Sequence, residues 1–213
     1  MSDKERRIVA YYESGHAIVG CLLPGIDPVH KVTIIPRGRA LGLTWVLPEK
    51  DRISQYKKQM LAQISFLFGG RIAEELFVHD ISTGASNDFE RATQLARDMV
   101  TRFGMSDSMG PMVYGENEGE VFLGRSVTTH KNMSESTLQK VDTEIRSIID
   151  QQYAVARKII EDNRDKVEAM TRALMEWETI DAEQIKDILE GRAPRAPKPL
   201  QSTTPPANDP TPP

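Results

Sequence analysis

Residues 8–20 read Ile8-Val-Ala-Tyr-Tyr-Glu-Ser-Gly-His-Ala-Ile-Val-Gly20, and this stretch comes within one residue of a metal-binding helix motif. In the zinc-protease motif H-E-x-x-H, two histidines four residues apart lie on one helix face and bind one metal ion, while the glutamate reaches the metal-bound water. Glu13 and His16 match that motif, but Tyr12 occupies the position of its first histidine. Because a catalytic zinc ion uses three protein ligands, a chain that lacks one can keep the fold and lose the metal.

The composition argues against several classes of protein. The 213 residues carry 27 Lys or Arg and 31 Asp or Glu, a formal net charge of −4, whereas nucleic-acid-binding surfaces are usually basic. The single cysteine, Cys21, allows no intrachain disulfide and fits a reducing compartment, and we interpret it as a buried small side chain rather than a nucleophile. Since no apolar run is long enough to span a bilayer, we expect the chain as given to be soluble.

Hydrophobic periodicity predicts a mainly α-helical domain with a small β-hairpin and a C-terminal group of helices. Runs rich in β-branched residues predict two strands, and apolar residues at spacings of three and four predict the helices. The predicted strands cover 29–35 and 41–47, with a further strand-like piece at 121–123. The predicted helices cover 3–21, 51–78, 87–104, 134–163 and 164–177, with a short last helix beginning near 181.

Local signals refine three of these helices. Ser2 and Glu5 have the spacing of a capping box at the start of the first helix, and Asn87 with Glu90 has the same spacing at the start of the third. Gly69-Gly70 interrupts the second helix, at a cost of about 1 kcal/mol per glycine relative to alanine. We therefore expect these two glycines where another backbone approaches closely.

A zinc site on the first helix needs a third ligand from elsewhere in the chain. Asp88 follows a glycine-containing loop at the predicted start of a helix, where the helix dipole favours a carboxylate. Glu74 and Glu75 compete with it, because they are carboxylates in an otherwise apolar helix. The simpler interpretations are an ion pair with Arg71 for at least one of the two glutamates, and mere compensation of the dipole for Asp88. The residues alone leave this choice open.

Four stretches of the sequence together carry a family resemblance. They are Tyr11-Tyr-Glu-Ser-Gly-His-Ala-Ile-Val-Gly20, Asp27-Pro-Val-His-Lys-Val-Thr-Ile-Ile-Pro-Arg-Gly38, Ser82-Thr-Gly-Ala-Ser-Asn-Asp88 and Gly119-Glu-Val-Phe-Leu-Gly124. Over about residues 3–191 the chain resembles the peptidase domain of the FtsH family, which are membrane-anchored, ATP-dependent zinc metalloproteases. The resemblance implies a metallopeptidase domain at 1–192, followed by a proline-rich tail at 193–213 that we expect to be disordered.

The resemblance also implies roles for individual residues. The family's His-Glu-Ala-Gly-His stretch falls on residues 12–16, so His16 matches a zinc ligand and Glu13 the catalytic base of a metalloendopeptidase. The family's third ligand falls on Asp88, which leaves Glu74 as a candidate carboxylate supporting the ligands.

Tyr12 is the main departure from the family pattern. A phenol, with an ordinary pKa of about 10, is a poor zinc ligand. We therefore expect zinc to bind weakly or not at all, and peptidase activity to be strongly reduced or lost. Ser14 replaces the usual alanine, and we expect its small hydroxyl to be tolerated.

The family further implies partners and a location. We expect unfolded protein substrates, a homo-oligomeric ring of six subunits, no nucleic acid, and a full-length protein at the cytoplasmic side of the inner (plasma) membrane. ATP would be used only by an ATPase module, which we expect, like the transmembrane segments, to lie outside this chain. Two other interpretations stay open: a catalytically dead ring or scaffold domain that binds extended polypeptide at the edge of the strand at 32–35 or of its neighbour, and a generic helical interaction module.

Overall fold

The protein is mainly α-helical with one small sheet, as predicted. A computed structural model describes residues 1–38, 40–48, 53–115 and 133–198. Its helices are α1 (Asp3–Leu22), α2 (Lys57–Ala73), α3 (Ser86–Thr101), α4 (Glu135–Asp162), α5 (Arg164–Trp177) and α6 (Ala182–Leu189). Its strands are β1 (Val29–Thr33), β2 (Leu43–Val46) and β3 (Thr179–Asp181). Within these described ranges, no helix is both long and apolar enough to cross a membrane.

Helix α1 lies at the centre of the domain and begins at the predicted capping box. The Ser2 backbone N–H donates to Oε2 of Glu5 at 2.7 Å, and the Glu5 N–H donates to Oγ of Ser2 at 3.3 Å. From Val9 to Gly20 nearly every residue is buried, because α1 packs against α2 and α5 and also contacts the sheet. The motif residues therefore lie in the interior rather than on an open helix face.

Helices α1 and α2 touch backbone to backbone at Gly69, which confirms the packing role predicted for that glycine, whereas Gly70 faces the side chains of Tyr12 and His16. A Cβ atom added to Gly15 would lie 2.1 Å from the carbonyl oxygen of Gly69, and one added to Gly69 would lie 2.5 Å from the carbonyl oxygen of Gly15. Both distances are far below van der Waals contact, so only glycine fits at either position. This contact brings the face of α2 directly onto the motif helix.

The sheet is antiparallel with strand order β2-β1-β3, and the predicted hairpin is present. A bridge between Arg37 and Ala40 closes the turn that joins β1 and β2. Strand β3 is an addition that the sequence analysis missed, since three residues after a helix give no periodic signal. It pairs with β1 through Val32 and Ile180, both fully buried.

The helix starts of α2 and α3 differ from the prediction. Helix α2 begins at Lys57, Ile53 lies before it and is fully exposed, and residues 51 and 52 lie outside the described part of the chain. Helix α3 begins at Ser86 with Ala85 at its N-cap, so the predicted Asn87 cap is wrong. The reason is that a 3-10 turn precedes α3: the Ser82 side chain accepts from the Gly84 N–H at 3.1 Å, and the chain runs from that turn directly into the helix.

One buried carboxylate of the last helix holds the C-terminal segment. Asp187 of α6 is buried and accepts bonds from Nε and Nη2 of Arg195, each 2.8 Å long, and from Nη2 of Arg192 at 2.9 Å. The described chain thus remains packed on α6 as far as Arg195. The predicted strand at 121–123, and the tail from residue 199 onward, lie outside the described residues.

Candidate functional site

The structure brings together three side chains that the sequence separates by up to 76 residues. Nε2 of His16 lies 3.2 Å from Oδ2 of Asp88, and the hydroxyl of Tyr12 donates a hydrogen bond to the same oxygen. Tyr12 and His16 are one helical turn apart on α1, whereas Asp88 comes from the start of α3. The geometry on which the predicted site depends is therefore present, with a phenol where the motif has an imidazole.

Helix α2 packs against the cluster formed by Tyr12, His16 and Asp88. A Cβ atom on Gly70 would lie 2.5 Å from Cζ of Tyr12 and 2.7 Å from Nε2 of His16. The two rings meet edge to face with their centroids 4.9 Å apart. Gly70 therefore provides the space into which both side chains fit.

The other ring nitrogen of His16 fixes the orientation of the imidazole. Nδ1 lies 2.8 Å from the carbonyl oxygen of Phe66 in α2. Because a carbonyl can only accept, Nδ1 carries a proton and Nε2 faces Asp88. Burial lowers the pKa of His16, but the hydrogen bond and charge of Asp88, with the charge of Glu13, outweigh it and raise that pKa overall. His16 and Asp88 thus form a close polar pair that is largely enclosed by the protein.

Asp88 is the third residue of α3, not the first helical residue as the sequence predicts. It still lies in the first turn, where the helix dipole favours an anion. Burial opposes its negative charge, yet hydrogen bonds from His16 and Tyr12 lower the pKa of the carboxyl below its usual value. Asp88 is therefore a carboxylate whose Oδ2 already has two donors.

Tyr12 remains a protonated donor in this setting. Burial, followed by the neighbouring charges of Asp88, Glu13 and Glu74, raises the pKa of the phenol far above its ordinary value. A hydroxyl that keeps its proton donates to the carboxylate, as the Tyr12 hydroxyl does to Oδ2 of Asp88.

Glu13 lies beside the cluster and is held from the sheet. Its side chain is buried, and Oγ1 of Thr44 in β2 lies 2.7 Å from Oε2 and 3.1 Å from the backbone carbonyl oxygen of Glu13. Burial raises the pKa of Glu13, against the opposing effects of the His16 charge and the Thr44 hydrogen bond. A carboxylate with a raised pKa in a largely enclosed site is chemically suited to accept a proton.

Glu74 and Glu75 engage other partners. Oγ of Ser82 donates to Oε1 of Glu74 at 2.6 Å and Nε of Arg71 donates to Oε2 at 3.3 Å, so the buried Glu74 holds the segment that leads into α3 and Asp88. Glu75 accepts from Tyr153 at 2.6 Å and from Arg157 of α4 at 3.1 Å. The Arg71 pair predicted for at least one of the two glutamates forms with Glu74, and both side chains are largely buried.

Several residues of the site escaped the sequence analysis. The Phe66 carbonyl carries no side-chain signal, and Thr44 lies 31 residues from Glu13 in a strand with no motif spacing. The hydroxyl of Ser14 is fully buried and accepts from Oγ1 of Thr171 in α5 at 3.1 Å. A partner therefore compensates for the serine that replaces the family's alanine.

These residues do not fit a three-ligand zinc site. Within the described part of the chain, no group of three or more His, Cys, Asp or Glu side chains is placed to hold a metal ion. The cluster offers one imidazole, one carboxylate and a phenol with a raised pKa, and its members are already joined by hydrogen bonds. Zinc in catalytic sites takes three nitrogen, sulfur or carboxylate ligands from the protein, so one ligand is missing here.

Comparison with known proteins agrees with the resemblance seen in the sequence. The model of peptidase family M41 matches residues 1–188. The chain is 61% identical to an ATP-dependent zinc metalloprotease FtsH of Cupriavidus metallidurans, over 99% of this chain and 33% of that protein. It is 51% identical to the FtsH of Magnetococcus marinus, over 100% of this chain and 32% of that protein, and 55% identical to the FtsH of Photobacterium profundum, over 93% and 29%.

The chain spans about a third of the length of these curated relatives. Within that third, the family model covers α1 with its motif, α3 with Asp88 and almost all of α6. The predicted relationship is thus confirmed, and the chain belongs to peptidase family M41.

Proposed function

We propose that this chain is the peptidase domain of a membrane-anchored, ATP-dependent protease that degrades unfolded or misassembled proteins, and that this copy has lost most or all of its zinc-dependent activity. Family membership supports the first part, since the relatives are named ATP-dependent zinc metalloproteases. The hydrogen-bonded cluster supports the second.

The observation that carries the proposal is the hydroxyl of Tyr12 on Oδ2 of Asp88, the oxygen that also faces Nε2 of His16. In this reading His16 and Asp88 are the two remaining ligand positions, Tyr12 stands at the third, and Glu13 is the base. Glu74 is the supporting carboxylate, through its hold on Ser82. Loss of one ligand should cost several kcal/mol of zinc affinity, given the roughly 10 kcal/mol that a whole structural zinc site provides.

The remaining features of the proposal come from the family resemblance. We assign residues 1–192 to the peptidase domain and 193–213 to a tail. The whole protein would form a six-membered ring at the cytoplasmic side of the inner membrane, and ATP would serve a module outside this chain. Substrates would reach the site as extended chains.

A second candidate function is a ring or scaffold domain that binds extended polypeptide without cleaving it. The outer strand β2 favours it, because within the described residues β2 pairs on one side with β1 and exposes the alternate residues Leu43 and Trp45. An outer strand can bind an extended peptide through its backbone groups, whatever the peptide's sequence.

The test compares the native chain with Tyr12→His. Each protein is loaded with zinc, freed of excess, and analysed for bound zinc and for cleavage of a labelled, permanently unfolded protein, which needs no ATPase. We expect about one zinc ion per chain and cleavage for Tyr12→His, as in a complete three-ligand site, and little of either for the native chain. Tyr11→His is the matched control, since Tyr11 is the adjacent tyrosine and bonds Glu168 instead of Asp88.

Stoichiometric zinc and cleavage in the native chain would overturn the proposed loss of activity. Retention of the unfolded protein without cleavage, by the native chain and by Tyr12→His alike, would favour the scaffold function.

A further inference from the structure

Strand β2 makes a direct hydrogen-bond contact with the carboxylate of Glu13. Oγ1 of Thr44 lies 2.7 Å from Oε2 of Glu13 and 3.1 Å from the backbone carbonyl oxygen of the same residue. A threonine hydroxyl has one proton, so it is shared between these two acceptors. The contact therefore ties the far end of the Glu13 side chain to its own helix backbone.

Gly42, immediately before β2, lies close against α1. A Cβ atom on Gly42 would lie 2.8 Å from Cγ and Oε1 of Glu13, and 2.8 Å from Cγ1 of Val9. A side chain at position 42 would push the strand away from the helix or displace the glutamate. Gly42 thus lets the strand come close enough for Thr44 to reach the carboxylate.

Thr44 is itself held in place by the sheet. It lies opposite Val32 in the antiparallel register, and Val32 is fully buried at the centre of the sheet. The neighbours of Thr44, Leu43 and Trp45, are on the opposite, exposed face. The alternation along β2 therefore aims one side chain at Glu13 and leaves the outer face free.

We propose that Thr44 is a positioning residue for the carboxylate of Glu13, and that Gly42 makes this contact possible. The inference rests on the proposed role of Glu13 as the base. It couples that base to β2, the same strand that would bind an extended substrate. Catalytic groups must be held within about 0.5 Å of their productive position, which a rotatable glutamate side chain does not achieve alone.

Crystal structures of the chain with Thr44→Val and Thr44→Ser test the positioning without requiring activity. We expect the Glu13 carboxylate to move by more than about 0.5 Å in Thr44→Val, beyond the tolerance of a productive site, and to keep its place in Thr44→Ser. An unmoved carboxylate in Thr44→Val overturns the proposal. Thr44→Ala takes the place of Thr44→Val if the latter does not fold.

Kinetics in the Tyr12→His background then test the catalytic consequence. We expect Thr44→Val to lower kcat by about 10-fold or more, part of the roughly 100-fold to 10,000-fold that a general base contributes, with KM and bound zinc unchanged. Thr44→Ser should restore kcat. The control is Thr33→Val, which changes a buried strand threonine that bonds Thr179 instead of Glu13.

The two experiments separate the possible failures. An inactive Tyr12→His protein, combined with a displaced carboxylate in Thr44→Val, would count against the proposed function and support the positioning role. An active Tyr12→His protein whose kcat is unaffected by Thr44→Val would overturn the positioning role and leave the proposed function standing.

Discussion

Removing the Tyr12 hydroxyl measures how much the hydrogen-bonded cluster contributes to the stability of the fold. In Tyr12→Phe, Asp88 loses one of its two donors and keeps the bond with His16. Hydrogen bonds to charged groups contribute about 1.5–3 kcal/mol. Because the Asp88 side chain is 16% exposed and water can partly replace the lost donor, we expect the middle of that range, about 2 kcal/mol.

The assay is equilibrium unfolding in urea, combined with thermal unfolding. For a domain of this size, 2 kcal/mol corresponds to a fall in Tm of about 4–8 °C. Tyr11→Phe is the matched control, since it removes a hydroxyl that bonds the partly buried Glu168 from the same helix, and we expect a smaller loss of about 1 kcal/mol. A Tyr12→Phe protein as stable as the native chain would refute the reasoning, because burial of the hydroxyl and carboxylate would then cost as much as their bond contributes.

A chelator provides an independent check of the same reasoning. The cluster joins α1 to α3 through protein atoms alone, so EDTA should leave the Tm of the native chain unchanged. In Tyr12→His, by contrast, zinc that binds only the folded state should raise the Tm, and EDTA should reverse the increase. A native chain that loses stability in EDTA would show that a metal ion joins these helices.

Two further predictions concern packing and pH. Gly15→Ala places a Cβ atom 2.1 Å from the Gly69 carbonyl oxygen, and we expect a loss of more than about 4 kcal/mol in urea unfolding, or no folded protein at all. Asp187→Asn should lower the Tm at pH 7 and speed proteolysis after residue 191, because Arg195 and Arg192 lose their charged acceptor. Those arginines lower the pKa of Asp187, so its contribution is complete above the unfolded carboxyl pKa of about 3.9 and is lost as the pH falls below it. The Tm difference between the native chain and Asp187→Asn should therefore disappear in acid.

A helix that has both a hydrophobic stripe and a capping signal was predictable from the sequence. Helix α1 has an apolar stripe and a capping box, and both appear in the structure. Periodicity alone did not locate the start of α2 or of α3. Helix α2 begins after the extended residue Tyr56, whose N–H donates to Oε1 of Gln59, and α3 continues directly from a 3-10 turn. Strand β3 is too short to carry any period.

The site was predictable only in part for a related reason. The spacing of Glu13 and His16 follows from helix geometry, so it can be recognised from the sequence without knowledge of the tertiary structure. The choice of Asp88 over Glu74 needed the family resemblance, since a carboxylate's partners depend on tertiary contacts. The roles of Thr44 and of the Phe66 carbonyl could not be predicted, because they depend on approaches between elements that leave no periodic trace.

The contact between Gly15 and Gly69 has a consequence for how this domain can change over time. Where these two glycines meet, main chain lies against main chain, so no side chain is present at that point whose size could be altered to change the spacing of the helices. At this point the closest approach of α1 to α2 is set by peptide groups. The position of the His16 ring on α2 therefore depends on glycine at both 15 and 69, whichever residue occupies position 12.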